Sequence, residues 1–166
     1  NLFQSEEFFV KKATRINKYI RKWDSKGFRA PSMYHDFKRI SELDILYDSS
    51  TFDTDPFEPQ PDGINTIFPF FVNGKPGKGY VELPYTLPQD FILFVILKEK
   101  NIDIWKRKLD WVAAKGGMVH FISHPDYMSF KDNGCTEEKY PALFYREILT
   151  YIKETYNGQY WLASAK

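Results

Sequence analysis

The stretch Gly116-Gly117-Met118-Val119-His120-Phe121-Ile122-Ser123-His124-Pro125-Asp126-Tyr127 decides how this chain is read. Two glycines are how a helix ends and a tight turn begins. Met118, Val119, Phe121 and Ile122 then make a short apolar run of strand type. The run stops at His124, because Pro125 has no N–H to continue a ladder. The pattern predicts a buried strand that carries one imidazole to the C-terminal edge of a sheet. In β/α architectures that edge is where chemistry sits. The competing reading is a histidine that only caps its strand, and the rest of the chain has to decide between the two.

Working upstream, Asp103 is placed to cap a helix with Trp105, Leu109 and Val112 at core spacing, ending at Lys115-Gly116. Before it, Pro88 suits a first helical turn, and Phe91 to Leu97 is apolar all round, which predicts a short, deeply buried helix. Tyr80 to Pro84 and Ile67 to Val72 read as two strands joined by turn residues 73–79, with Pro69 assigning the first to an edge. The glycines and lysines of that turn do not have phosphate-loop spacing. Thr51 to Thr66 reads as one long irregular loop, a length that usually serves a site or is disordered. Ile45-Leu46-Tyr47 is strand-like and ends at Asp48-Ser49-Ser50, and Met33, Phe37, Ile40 and Leu43 suggest a short helix. Phe28-Arg29-Ala30-Pro31 is a short strand stopped by proline. Ser5 caps a first helix, with Glu6 and Glu7 in its first turn and Phe9, Ala13, Ile16, Ile20 and Trp23 on one stripe, ended by Gly27.

Downstream, Asp126 to Lys139 is a polar loop, Pro141 opens a helix with Phe144, Ile148 and Ile152 inward, and Gln159 to Ala163 reads as a last strand. Strands and helices alternate, which argues for an α/β fold with mostly parallel strands and an inserted β-hairpin, in a single domain over 1–166.

The 166 residues allow a real core, and a net charge of +1 offers no large basic field for nucleic acid. Aromatics reach 18%, which suits a core and also sugar-ring stacking. Cys135 is the only cysteine, so an internal disulfide and a multi-cysteine zinc site are both excluded. Nothing approaches the roughly 20 apolar residues of a membrane span. No signal peptide is visible, and the chain begins without methionine. Cytoplasm and cell envelope both stay open.

Gly27-Phe28-Arg29-Ala30-Pro31, Tyr47-Asp48-Ser49-Ser50 and Ser123-His124-Pro125-Asp126-Tyr127, with Val81-Glu82-Leu83-Pro84 between them, resemble in order the later motifs of the polysaccharide deacetylases, the NodB-homology family. The resemblance implies a deformed β/α barrel. It implies metal-dependent hydrolysis of an N-acetyl or O-acetyl group on a glycan, with a divalent metal, usually zinc, held by one aspartate and two histidines. By the same resemblance His124 matches the acid that protonates the leaving amine, and Arg29 matches the arginine that holds the base aspartate. Asp48 is the nearest match to the carboxylate that tunes the histidine, with Asp53 as the alternative, since the tryptophan of that motif is missing. Pro31 and Tyr127 fall at substrate-binding positions. The tyrosine expected after the R-x-P motif is absent: Ser32 and Met33 stand there, and a backbone N–H of this segment is the candidate oxyanion donor.

The family's first two motifs, which supply the base and all three metal ligands, do not occur in these residues. The chain therefore resembles a partial deacetylase domain, with the N-terminal strands missing, no metal site of its own, and activity expected of the complete protein only. His35, His120 and His124 do not replace the ligands, since i and i+4 on a strand lie about 13 Å apart. A partial barrel predicts exposed sheet edges and self-association through them. Two further readings stand beside this one: a non-catalytic carbohydrate-binding or assembly module on the same fold, and a glycosidase using Asp48 and Glu82, the latter equally read as a solvent-facing strand residue.

Overall fold

A computed structural model describes residues 2–54, 63–74, 77–131 and 136–165. The chain is mixed α/β, with helices and two small open sheets. It divides into two compact units, Asn1–Tyr85 with Ser164–Lys166, and Thr86–Ala163.

The first unit opens with α1, Glu6–Trp23. Ser5 Oγ accepts from the Phe8 N–H at 3.2 Å and satisfies one of the orphan donors of the first turn. The helix stops at Trp23, short of Gly27, because Asp24 takes the left-handed conformation (φ 50°) and returns its N–H to Ile20 and Arg21. Of the expected stripe, Phe9, Ala13 and Ile20 are buried against Ile40, Leu43, Ile45 and Tyr80, Ile16 is half-buried beside them, and Trp23 is 67% exposed. The strands are β1 (Gly27–Phe28), β2 (Tyr47–Asp48), β3 (Phe70–Asn73) and β4 (Gly79–Glu82), with the short α2 (Phe37–Ile40) between the first two. Their spatial order is β1-β2-β4-β3. The first three in that order run parallel, and β3 returns antiparallel on an edge, as Pro69 required. The register places Phe28, Asp48 and Glu82 in one row at the C-terminal ends of the parallel strands. Gly27 has a steric role in that row, since a Cβ there would stand 2.1 Å from the Tyr47 ring that covers it. The region read as one irregular loop is partly ordered: Thr51, Phe52 and Asp53 are buried, and Phe52 bridges to Tyr85. Residues 55–62 of it lie outside the described residues.

The second unit holds a π-helical turn, Phe91–Ile96, then α3 (Asp103–Ala114), β5 (Met128–Ser129), β6 (Tyr140–Pro141) and α4 (Ala142–Thr155). β5 and β6 pair in parallel. Leu93, Phe94, Ile102, Trp105, Leu109 and Ile148 form its core. The aromatic excess is spent here in part: the Phe94 ring lies 4.9 Å from Trp105, 4.7 Å from Tyr140 and 5.0 Å from Phe144.

Three expectations fail in this unit. Residues 117–124 form no regular strand and are half-buried at most positions. They run extended against Thr86, whose Oγ1 accepts from the His120 N–H at 3.0 Å and whose N–H donates to His120 O at 2.7 Å, so a side chain takes the place of a ladder. Gln159 to Ala163 is not a strand, and Trp161 and Leu162 are 90% and 86% exposed. Gly158 turns the chain at φ 74°, and no described strand pairs with residues 159–163. The apolar run Phe91 to Leu97 buries Ile92, Leu93 and Phe94 but leaves Ile96 and Leu97 exposed, because the five-residue bond from Leu97 N–H to Ile92 O widens the turn.

Candidate functional site

In the second unit, His124 stands immediately before a 3₁₀ turn, Pro125–Tyr127, whose proline ends the extended run. Its Nδ1 lies 2.7 Å from Asp90 Oδ1, and its backbone N–H donates to Asp90 Oδ2 at 2.6 Å. Asp90 is fully buried. Its Oδ2 also accepts from the Tyr140 hydroxyl at 2.8 Å, and its Oδ1 accepts from the Phe91 N–H at 2.8 Å. Three donors besides the ring already converge on this carboxylate, so Nδ1 meets an acceptor. We therefore assign the Nδ1 hydrogen to His124 on geometry. The His124 side chain is 38% exposed, and its Nε2 makes no hydrogen bond among the described residues. A carboxylate-oriented imidazole with its outer nitrogen open is the arrangement that moves protons to and from a bound molecule. Tyr140 has its pKa raised, first by burial and then by its bond to Asp90, so it stays a donor.

The Tyr127 ring stands 5.4 Å from the imidazole and 4.9 Å from Phe91, walling one side of His124. Sequence reasoning assigned the histidine-tuning carboxylate to Asp48, with Asp53 as the alternative, and missed Asp90 and Tyr140. Asp90 carried a signal, since it is the one charge at the head of the apolar run from Phe91 to Leu97.

The first unit gathers the other motif residues. Asp48 and Glu82 are neighbours in register, and both are fully buried. Asp48 accepts from Ser50 N–H and Ser50 Oγ, both at 3.0 Å. Glu82 Oε1 accepts from Ser50 N–H and Thr51 N–H at 3.1 Å and from Thr51 Oγ1 at 2.7 Å. The Ser50 N–H is shared between Asp48 Oδ2 and Glu82 Oε1, which sets the two carboxyl groups side by side. Burial raises both pKa values, and the charge of Asp48 adds to the effect on Glu82, which is pushed up to about 8. Arg29 follows β1 and donates Nη2 to Ser49 Oγ at 2.8 Å, within electrostatic range of both acids. Ala30 N–H donates to Ser50 Oγ at 2.8 Å, so the R-x-P and D-S-S stretches are tied together directly. Pro31, itself exposed, begins a 3₁₀ turn in which Ser32 and the buried Met33 take φ of 55° and 52°. Two adjacent non-glycine residues in this region are strained.

The glycosidase reading fails on this geometry. Glycosidic carboxylates stand roughly 5–9.5 Å apart with the bond between them. Asp48 and Glu82 are neighbours in register and both are fully buried, so neither presents a carboxyl group to a sugar. Glu82 is thus not a solvent-facing strand residue.

Zinc, which the resemblance implies, does not fit the residues present. Among the described residues no three His, Cys, Asp or Glu side chains form a group that could hold a metal. His35 is buried with Nδ1 against Met33 O at 3.4 Å, and His124 faces Asp90. No step is derived through a metal for this chain. No helix is long and apolar enough to cross a membrane among the described residues.

Comparison with family models, with curated proteins and with solved structures matches this chain to none of them.

Proposed function

We propose that this chain is the proton-delivering part of a polysaccharide-deacetylase-type fold, with a glycan carrying N-acetyl or O-acetyl groups as substrate. One observation carries the reading: His124 is fixed by the buried, fully satisfied Asp90, and its Nε2 is open. In hydrolysis of an acetamido group, water adds to the acyl carbon and the C–N bond breaks. Nε2–H of the imidazolium gives its proton to the departing amine, and Asp90 stabilises that imidazolium through Nδ1. Tyr127 bounds the place where a sugar ring would approach Nε2. The barrel of the family, the role of Arg29 toward a base aspartate, and the expectation of zinc belong to the same proposal. They require a base and metal ligands beyond the described residues, in the complete protein.

The test is acetate release from N-acetylglucosamine oligomers with zinc supplied. The chain alone releases none. A complete protein that includes it releases acetate, and His124→Ala lowers that rate about 10²–10⁴-fold. Release at the parental rate by the variant removes His124 from the reaction.

A second reading is a carbohydrate-binding or assembly module, for which the exposed rings of Trp23, Trp111 and Trp161 offer faces to a sugar. In that case glycan oligomers change the tryptophan fluorescence of the chain, and no form of the protein releases acetate.

A further inference from the structure

The proton-delivery reading uses His124 and Asp90 and leaves unexplained why two carboxyl groups are buried side by side at the ends of β2 and β4. We infer that Glu82 is a proton-carrying positioning residue: Asp48 and Glu82 hold one proton between them, borne by Glu82 Oε2 and donated to Asp48. The inference does not depend on the glycan reading.

The donor census is the first support. Three donors converge on Glu82 Oε1, while Glu82 Oε2 is buried with no partner. An ionised carboxylate with one oxygen so served and the other bare is costly in a dry site. A proton on Oε2 turns that oxygen into a donor, and the carboxyl group beside Glu82 in the register is that of Asp48. Two neighbouring carboxyl groups in a buried site do not both ionise at low cost. The shared donor is the second support: the Ser50 N–H lies 3.0 Å from Asp48 Oδ2 and 3.1 Å from Glu82 Oε1, which holds the two carboxyl groups side by side. Among the described residues, the titratable groups facing the pair include Arg29 beyond β1, Tyr80 on β4 and Tyr85 beyond it, with Asp36 ahead of α2 acting on Tyr80. Tyr80 is held neutral by burial and by the nearby acids. The raised Glu82 pKa agrees with this geometry. The protonated pair also explains the hold on the D-S-S turn: Glu82 Oε1 remains an acceptor for Ser50 and Thr51, and Asp48 stays an anion for Ser50.

Carbon-13 NMR of the parent protein labelled at glutamate carboxyls tests the proton directly. One glutamate is expected to titrate well above the rest, and Glu82→Gln removes that resonance. Glutamine reproduces the protonated form, with an N–H toward Asp48 and an oxygen for Ser50 and Thr51, so Glu82→Gln folds where Glu82→Ala loses the turn. The parent's unfolding constant, divided by that of Glu82→Gln, rises about tenfold per pH unit between roughly 4.5 and 8. Titration of every glutamate in the ordinary range overturns the inference. So does a Glu82→Gln penalty of the same size at every pH, which would mean an ionised Glu82 served by a buried water. If neither variant folds, the parent titration decides alone.

Discussion

His124 and Asp90 show how much a single pair can commit a segment. One buried carboxylate fixes both the backbone N–H and the ring of the histidine, so the imidazole is held with its Nε2 outward. Asp90→Asn keeps the shape and loses the anion that selects the tautomer. We expect nitrogen-15 NMR to show Nδ1–H as the neutral form in the parent and a shift toward Nε2–H in the variant. In a complete, active protein the same variant costs about 10⁴-fold in rate, by analogy with the orienting aspartate of catalytic triads. A parental tautomer in Asp90→Asn contradicts the assignment. Tyr140→Phe removes one donor from the buried carboxylate and destabilises by about 1.5–3 kcal/mol, readable by urea unfolding. The His124 end of this pair was legible in the sequence, because Pro125 marks where the run stops. Its partner was not. Asp90 lies 34 positions earlier, and no local pattern joins an N-capping aspartate to a histidine at that distance.

At the scale of elements, the helices were readable from their apolar stripes, although α3 starts at Asp103 with Ile102, not Asp103, at its N-cap. Trp105, Leu109 and Val112 on α3 and Ile148 on α4 are buried as their spacing indicated. The strands were less readable because they are so short. β1, β2, β5 and β6 have two residues each, too few for an alternation to be seen. What fixes β1 and β2 is the row of side chains at their ends, Arg29, Ser50, Asp48 and Glu82, which is a tertiary property. The pH dependence of the first unit comes from that row. Glu82 has a folded pKa raised from the ordinary 4.5 to about 8. The folded state therefore holds more protons than the unfolded state across this window. Its contribution to stability is fully present below about 4.5, falls by about 1.4 kcal/mol per pH unit, and levels off above about 8. Urea midpoints measured from pH 5 to 9 check the sign, with Glu82→Gln removing this component. In α1, Asp24→Gly relieves a left-handed residue and raises stability by about 0.5–1 kcal/mol, seen as a higher Tm.

At the scale of the whole molecule, the α/β class was legible and the closure of a barrel was not, since neither sheet closes. The β-hairpin leaves β3 on an edge with Phe71 61% exposed and Phe68 47% exposed just before it. An apolar edge of this kind pairs with another copy unless something covers it. Sedimentation is expected to show association that rises with concentration, and Phe71→Lys is expected to reduce it. A parent that stays monomeric at high concentration contradicts this. The central claim is that the chain carries the proton donor of a glycan deacetylase. It is tested most directly by acetate release from N-acetylglucosamine oligomers by the complete protein and its His124→Ala variant. We predict release by the parent and a loss of about 10²–10⁴-fold in the variant. Equal rates, or a parent that binds the oligomers and releases no acetate, contradict it.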